Sequence, residues 1–253
     1  MQNRAIICTH HKTGTIWMRH TFETIASALG ISCVRISAED ADGPLPRSAC
    51  FVRDVHSRLF AKGLYEEGDR ILHVIRDPRD IVISAMHYHK KSAERWLHRP
   101  DDRFGGKTYQ QTINSLPDDK ARMIFEMDYV SGNAIRNMCA WSYGNPVCFE
   151  TKYETLLSEG QREFAKAARH LGLRGDELKV AVSAFLENSI LHGARDKVGN
   201  FLHTRSGAPE QWRSVYDDDL RQAFMSRFPE AIAKLGYEQF DDSFAAPKVL
   251  HSR

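Results

Sequence analysis

The first seventeen residues constrain this chain more than any other stretch. Residues 4–9, Arg-Ala-Ile-Ile-Cys-Thr, form a short apolar run of the kind that makes a buried strand. A polar turn with one glycine follows, His10-His11-Lys12-Thr13-Gly14-Thr15. Beyond it, Trp17, Met18, Phe22, Ile25, Ala26 and Leu29 recur at helical spacing. Strand, tight loop and helix make a phosphate cradle, because loop amides and the positive end of the helix dipole converge on one point. Lys12 adds a cation, and Thr13 and Thr15 add hydroxyls. Gly14 lets the backbone approach an anion with no Cβ in the way.

Further strands alternate with helices along the chain. Residues 31–36, 49–55, 70–75 and 146–151 read as strands, and the helix after Pro78 is capped by Asp77. That alternation predicts an α/β fold of the three-layer P-loop type, with a central, mainly parallel sheet flanked by helices. Ligands on such sheets sit beyond the carboxyl ends of the strands. Residues 9–11, His56 and Arg76 all fall at such ends. Residues 95–116 read as a polar, irregular lid or substrate loop, residues 119–143 as one long helical pattern, and residues 217–235 as a final helix. No repeat or linker interrupts the 253 residues, which read as one domain.

Composition sets outer bounds. A net charge of +2 with 27% charged residues is that of an ordinary globule and gives no argument for nucleic acid. No apolar run reaches the roughly 18–20 residues that span a bilayer, and the phosphate loop begins too early for a secretory signal to precede it. A cytoplasmic protein without membrane attachment is expected. The five cysteines, odd in number and scattered, are expected to be free thiols.

The loop is not the nucleoside-triphosphatase sequence G-x-x-x-x-G-K-[ST], since its lysine precedes its glycine. Lys12-Thr13-Gly14-Thr15-Ile16-Trp17 instead resembles K-[ST]-G-T-[TS]-W, the 5′-phosphosulfate loop of sulfotransferases that use 3′-phosphoadenosine-5′-phosphosulfate. Arg76-Asp77-Pro78-Arg79-Asp80, with Ser84 eight residues after Arg76, resembles that family's 3′-phosphate motif. Arg205-Ser206-Gly207 through Trp212-Arg213 resembles its late motif, with Ser206 in place of a lysine and Glu210 in place of a glycine. The three occur in family order over about residues 4–240.

The resemblance implies roles for these residues. Lys12, Thr13, Gly14, Thr15 and Ile16 would hold the 5′-phosphosulfate, mostly through backbone amides, with Lys12 stabilising the leaving oxygen. Trp17 and Tyr153 would lie near the adenine. Arg76, Ser84, Arg205, Ser206 and Gly207 would bind the 3′-phosphate. Asp77, Arg79 and Asp80 read as capping and ion-pair residues. His56 stands where the family's general base stands, and a neutral imidazole suits that task. Asp54 replaces a lysine two residues before it, and a carboxylate from the acceptor loops remains an alternative base. His10 and His11 replace a Tyr-Pro pair.

The implied reaction moves a sulfuryl group from 3′-phosphoadenosine-5′-phosphosulfate to a hydroxyl or amine of a small-molecule acceptor, releasing adenosine 3′,5′-bisphosphate. No metal is required, and His87 with His89 has no third ligand at helpful spacing. The alternatives are a P-loop small-molecule kinase and a nucleotide-binding module without catalysis. Acceptor identity and oligomeric state are not legible.

Overall fold

The computed structural model describes residues 4–36, 50–55, 57, 65–189, 197–198, 201–202 and 207–240. The chain forms two compact units. One comprises residues 1–76 and 140–209, the other residues 77–139 and 210–253.

The first unit is built on five parallel strands: β1 (Ala5–Thr9), β2 (Ser32–Ile36), β3 (Cys50–Val55), β4 (Arg70–Ile75) and β5 (Cys148–Lys152). Their order is β2-β3-β1-β4-β5. The expected α/β class and central sheet are therefore present, and every pairing in that sheet is parallel. One sheet face carries Ala5, Ile7, Phe51, Leu72 and Val74. It packs on α1 (Thr15–Leu29), α6 (Tyr153–Ser158), α7 (Gly160–His170) and α8 (Gly175–Glu187) through Phe22, Ile25, Leu156, Phe164 and Phe185. The opposite face carries Ile6, Cys8, Val52 and Ile71, against Trp141. Alternating exit of side chains to two buried faces explains why these strands read as nearly continuous apolar runs. A two-stranded antiparallel pair, β6 (Lys197–Val198) and β7 (Phe201–Leu202), completes this unit's described residues.

The strand order reverses at β1. The chain leaves β1 for β2 and β3 on one side and returns to β4 on the other. In a parallel sheet such a switch opens a crevice at the carboxyl ends of the two strands that part. Here those strands are β1 and β4, and the residues beyond them are His10–Lys12 and Arg76.

The second unit is helical in its described residues: α2 (Pro78–His89), α3 (Tyr109–Ser115), α4 (Asp119–Asp128), α5 (Val130–Cys139), α9 (Trp212–Val215), α10 (Asp218–Arg227) and α11 (Ala231–Lys234). Three expectations change here. The segment 95–116, expected irregular, has two 3-10 turns and α3, whose start is a capping box between Thr108 and Gln111. The long pattern at 119–143 is two helices that part at Tyr129. The break admits only glycine at position 132, since a Cβ there would lie 1.9 Å from the Met127 carbonyl oxygen. The final helix is interrupted near Pro229, whose ring and missing N–H oppose an unbroken run.

All five cysteines are free thiols, as expected. Among the described residues, no helix is long and apolar enough to cross a membrane.

Candidate functional site

The loop after β1 takes its shape from two left-handed residues and one hydroxyl. Lys12 has φ 65° and Gly14 φ 97°. Between them Thr13 is fully buried. Its Oγ1 donates to the His10 carbonyl at 3.0 Å and accepts from the His10 N–H at 2.9 Å. Its own amide also donates to that carbonyl at 3.2 Å. Thr15 Oγ1 adds a further donation to the His10 carbonyl at 2.9 Å and lies 3.1 Å from Thr9 Oγ1. The threonine hydroxyls thus fold the loop onto His10. The Thr13 hydroxyl, expected to meet an anion, is consumed in that closed ring.

The loop's amides face a different situation. The first intrahelical bond of α1 runs from Met18 N–H to the Gly14 carbonyl at 2.9 Å. The amides of Gly14, Thr15, Ile16 and Trp17 therefore have no acceptor within the helix. No side-chain cap is made at Gly14, and the first turn holds no acidic residue. A 15-residue helix begins with its positive end open.

Arg76 stands one residue beyond β4 and is only 4% exposed. Its Nη1 donates to the Lys12 carbonyl at 3.2 Å, and its Nη2 to the Ala208 carbonyl at 3.4 Å. Among the described residues its Nε is buried with no partner, and no carboxylate pairs with the guanidinium. The Tyr153 ring lies beneath it at 4.4 Å. Tyr153 OH donates to the Gly207 carbonyl at 2.9 Å. The ring meets Trp17 edge-on at 6.1 Å, and the Gly14 Cα hydrogen side faces Tyr153 so closely that a Cβ would stand 3.3 Å from Cδ2. Lys12, Thr13, Gly14, Thr15, Trp17, Arg76, Tyr153 and Gly207 are brought together within the first unit.

Trp17 has a second partner. It stacks on Phe185 at 4.8 Å and is nearly buried, so it is also a core residue, though its indole N–H has no acceptor among the described residues. His56, Arg205 and Ser206 lie outside the described residues. Ser84 sits half-buried on α2 in the second unit. There Asp77 caps the helix by accepting the Arg79 N–H at 3.0 Å, and it takes Arg79 Nε and Nη2 at 2.9 and 2.7 Å. The Arg79 guanidinium lies 3.5 Å over the Trp212 ring, and Asp80 accepts the Trp212 amide at 3.0 Å. These acidic and basic residues fasten the late motif's tryptophan to α2, as capping and ion-pair residues do.

A polar row, buried except at Glu150, crosses the sheet below the loop, and sequence reasoning missed it. Asp54, Cys8, His73 and Glu150 are register neighbours on β3, β1, β4 and β5. Cys8 Sγ lies 3.7 Å from Asp54 Oδ2. Burial, then the Asp54 carboxylate, push the Cys8 thiol well up. Burial raises the Glu150 carboxyl, which accepts the Trp141 indole N–H at 3.0 Å. Trp141 stacks on His73 at 3.6 Å, and His73 Nε2 meets His10 Nε2 at 2.9 Å. Desolvation, then the neighbouring His10, hold His73 well below the usual histidine range. The available signal was a histidine inside an otherwise apolar strand, Ile71-Leu72-His73-Val74-Ile75.

No group of three or more His, Cys, Asp or Glu residues among those described is arranged to hold a metal ion.

No family model matches the chain, and no curated protein matches its sequence. Solved structures do match in fold. A mouse sulfotransferase, SULT7A1, complexed with PAP, aligns over 91% of this chain and 84% of its own, with TM-score 0.59 and 16% identity. Retinol dehydratase in complex with androsterone and the inactive cofactor PAP aligns over 95% and 83%, with TM-score 0.56 and 12% identity. The same enzyme with retinol and PAP aligns over 94% and 83%, again at TM-score 0.56 and 12% identity. The chain has the fold of the sulfotransferases.

Proposed function

We propose that this protein transfers a sulfuryl group from 3′-phosphoadenosine-5′-phosphosulfate to a hydroxyl or amine of a small-molecule acceptor. The observation that carries the reading is Arg76. A guanidinium this buried, facing carbonyls and an aromatic ring and no described carboxylate, is costly unless an anion completes it. It meets the carbonyl of Lys12, next to an uncapped helix start. Two anion-binding devices in one crevice suit a ligand with two separated phosphates. The order of lysine and glycine separates this loop from those that cradle nucleoside triphosphates. The three fold neighbours were all solved with PAP, which supports the same donor here.

In this reading the amides from Gly14 to Trp17, with Lys12, hold the 5′-phosphosulfate. Arg76 holds the 3′-phosphate with Ser84, Arg205, Ser206 and Gly207, and Tyr153 and Trp17 border the adenine. An acceptor oxygen or nitrogen attacks sulfur in line. The new bond to sulfur forms as the bond to the bridging phosphate oxygen breaks, and the electron pair leaves on that oxygen beside Lys12. The acceptor proton passes to His56, or to a carboxylate of the acceptor loops. No metal enters the step. The reaction suits a cytoplasmic enzyme.

Calorimetric titration tests this directly. Adenosine 3′,5′-bisphosphate should bind wild type without metal. Loss of a charge-assisted contact in Arg76→Ala should weaken it by about 10- to 100-fold. Binding of ATP with Mg²⁺ in place of the bisphosphate would make the protein a kinase. Bisphosphate binding with no turnover of the sulfated donor across an acceptor screen would make it a binding module.

A further inference from the structure

The His10 ring is almost fully buried and His73 fully so, and neither has a task in the reaction proposed above. Their contact is chemically restrictive. Two imidazole nitrogens 2.9 Å apart share one hydrogen, so one ring donates and the other accepts. Ser57 Oγ completes the cluster, 3.1 Å from the Thr9 carbonyl, to which its hydroxyl donates, and 3.2 Å from His10 Nε2.

His10 is also the residue on which the loop hangs. Its carbonyl receives the Thr13 amide and the hydroxyls of Thr13 and Thr15, and its N–H is held by Thr13. His10 therefore joins the backbone anchor of the loop to a side chain held inside the sheet. The ring is gripped in turn by His73, which is clamped against Trp141, whose indole is tied to Glu150 on β5. A continuous set of contacts runs from the edge of the sheet to the loop.

We propose that His73 is a positioning residue for the phosphosulfate loop, acting through His10. The inference rests on the donor site proposed above and extends it to a residue that touches no ligand. Its effect falls first on the 5′ half of the nucleotide site, and the Arg76 half is reached at second hand, through the Arg76 bond to the Lys12 carbonyl.

The test uses full-length His73→Phe and His73→Gln. Phenylalanine keeps a ring on Trp141 and removes the nitrogen that meets His10. Glutamine restores a polar group near the place of Nε2, able to donate or to accept. Affinities for adenosine 3′,5′-bisphosphate and for adenosine 3′-monophosphate, which lacks the 5′ group, are measured by calorimetry, with thermal melts alongside. In His73→Phe the bisphosphate dissociation constant should rise about tenfold, the weight of one hydrogen bond, with the monophosphate changed by less than about twofold. His73→Gln should recover most of the loss. Unchanged bisphosphate affinity in the phenylalanine variant would overturn the proposal. Equal losses for both nucleotides, or no recovery with glutamine, would also overturn it, since general damage to the fold would then be the cause. A wild type that binds neither nucleotide removes the donor site itself, and this inference with it.

Discussion

Replacing Gly14 by alanine separates the loop's geometry from its chemistry, because no charge or hydrogen-bond donor is lost. Gly14 sits at φ 97° and ψ 22°, a left-handed conformation that costs an L-residue about 1–2 kcal/mol. The added methyl would stand 3.3 Å from Tyr153 Cδ2 and 3.7 Å from Cε2. Tyr153 has little room to yield. Its hydroxyl is tied to the Gly207 carbonyl, its face lies under Arg76, and its edge meets Trp17.

The strain has two outlets, and together they must account for it. A loop that keeps its conformation loses the whole amount from folding stability. At 2–4 °C per kcal/mol for a chain this long, the melting temperature falls by about 2–8 °C while nucleotide affinity holds. A loop that relaxes spares stability and loses the same amount from binding, a rise of about 5- to 30-fold in the bisphosphate dissociation constant. Calorimetric melting and titration on one preparation read both. A melting temperature within about 1 °C of wild type, with affinity within about twofold, would refute the reasoning. The left-handed turn and the Tyr153 contact would then carry no weight.

Two further results are expected. Arg79→Leu leaves the Asp77 carboxylate buried without its cation and takes the guanidinium from the faces of Trp212 and Phe240. Urea unfolding should show a loss of about 3–5 kcal/mol, and a loss under about 1 kcal/mol would mean the pair adds nothing. His73 makes stability depend on pH. Its folded pKa lies below its unfolded value near 6.5, so on acidification the unfolded chain takes up the proton first. This contribution is complete above pH ~6.5 and is lost as pH falls below it, at no more than about 1.4 kcal/mol per pH unit. Melting temperatures across that range should fall less steeply in His73→Phe, and parallel curves would sink the assignment.

What was legible in the sequence is what local physics writes into it. The strand-loop-helix at the start, the Asp77 cap and the apolar strands each depend on residues a few positions apart, and they form as read. The broken helices were less visible. Gly132 inside a helical pattern signals either indifference or a close approach, and only the Met127 carbonyl decides which. Thr13 looked like an anion ligand because a loop hydroxyl beside a lysine usually is exposed. Its burial follows from the left-handed turns on either side, which the linear sequence does not display. The His10–His73 contact joins residues 63 positions apart on adjacent strands. It exists only because strand order places β4 beside β1.

That strand order also explains why Arg76 is where it is. β1 and β4 part at the switch in the sheet, and each delivers one cationic residue just past its carboxyl end, Lys12 from β1 and Arg76 from β4. The row's two carboxylates, Asp54 and Glu150, stand at register positions on β3 and β5, to either side of Cys8 and His73. None of the described carboxylates pairs with Arg76, whereas Arg79, three residues on, is paired through Nε and Nη2 with Asp77. Two buried guanidiniums so close in sequence are treated differently: among the described residues one meets a carboxylate, the other carbonyls and an aromatic ring. Arg79 closes an internal account of charge. In the function proposed above, an anion bound at Arg76 would offset the cost of burying that charge, and folding and nucleotide binding would be linked through one side chain.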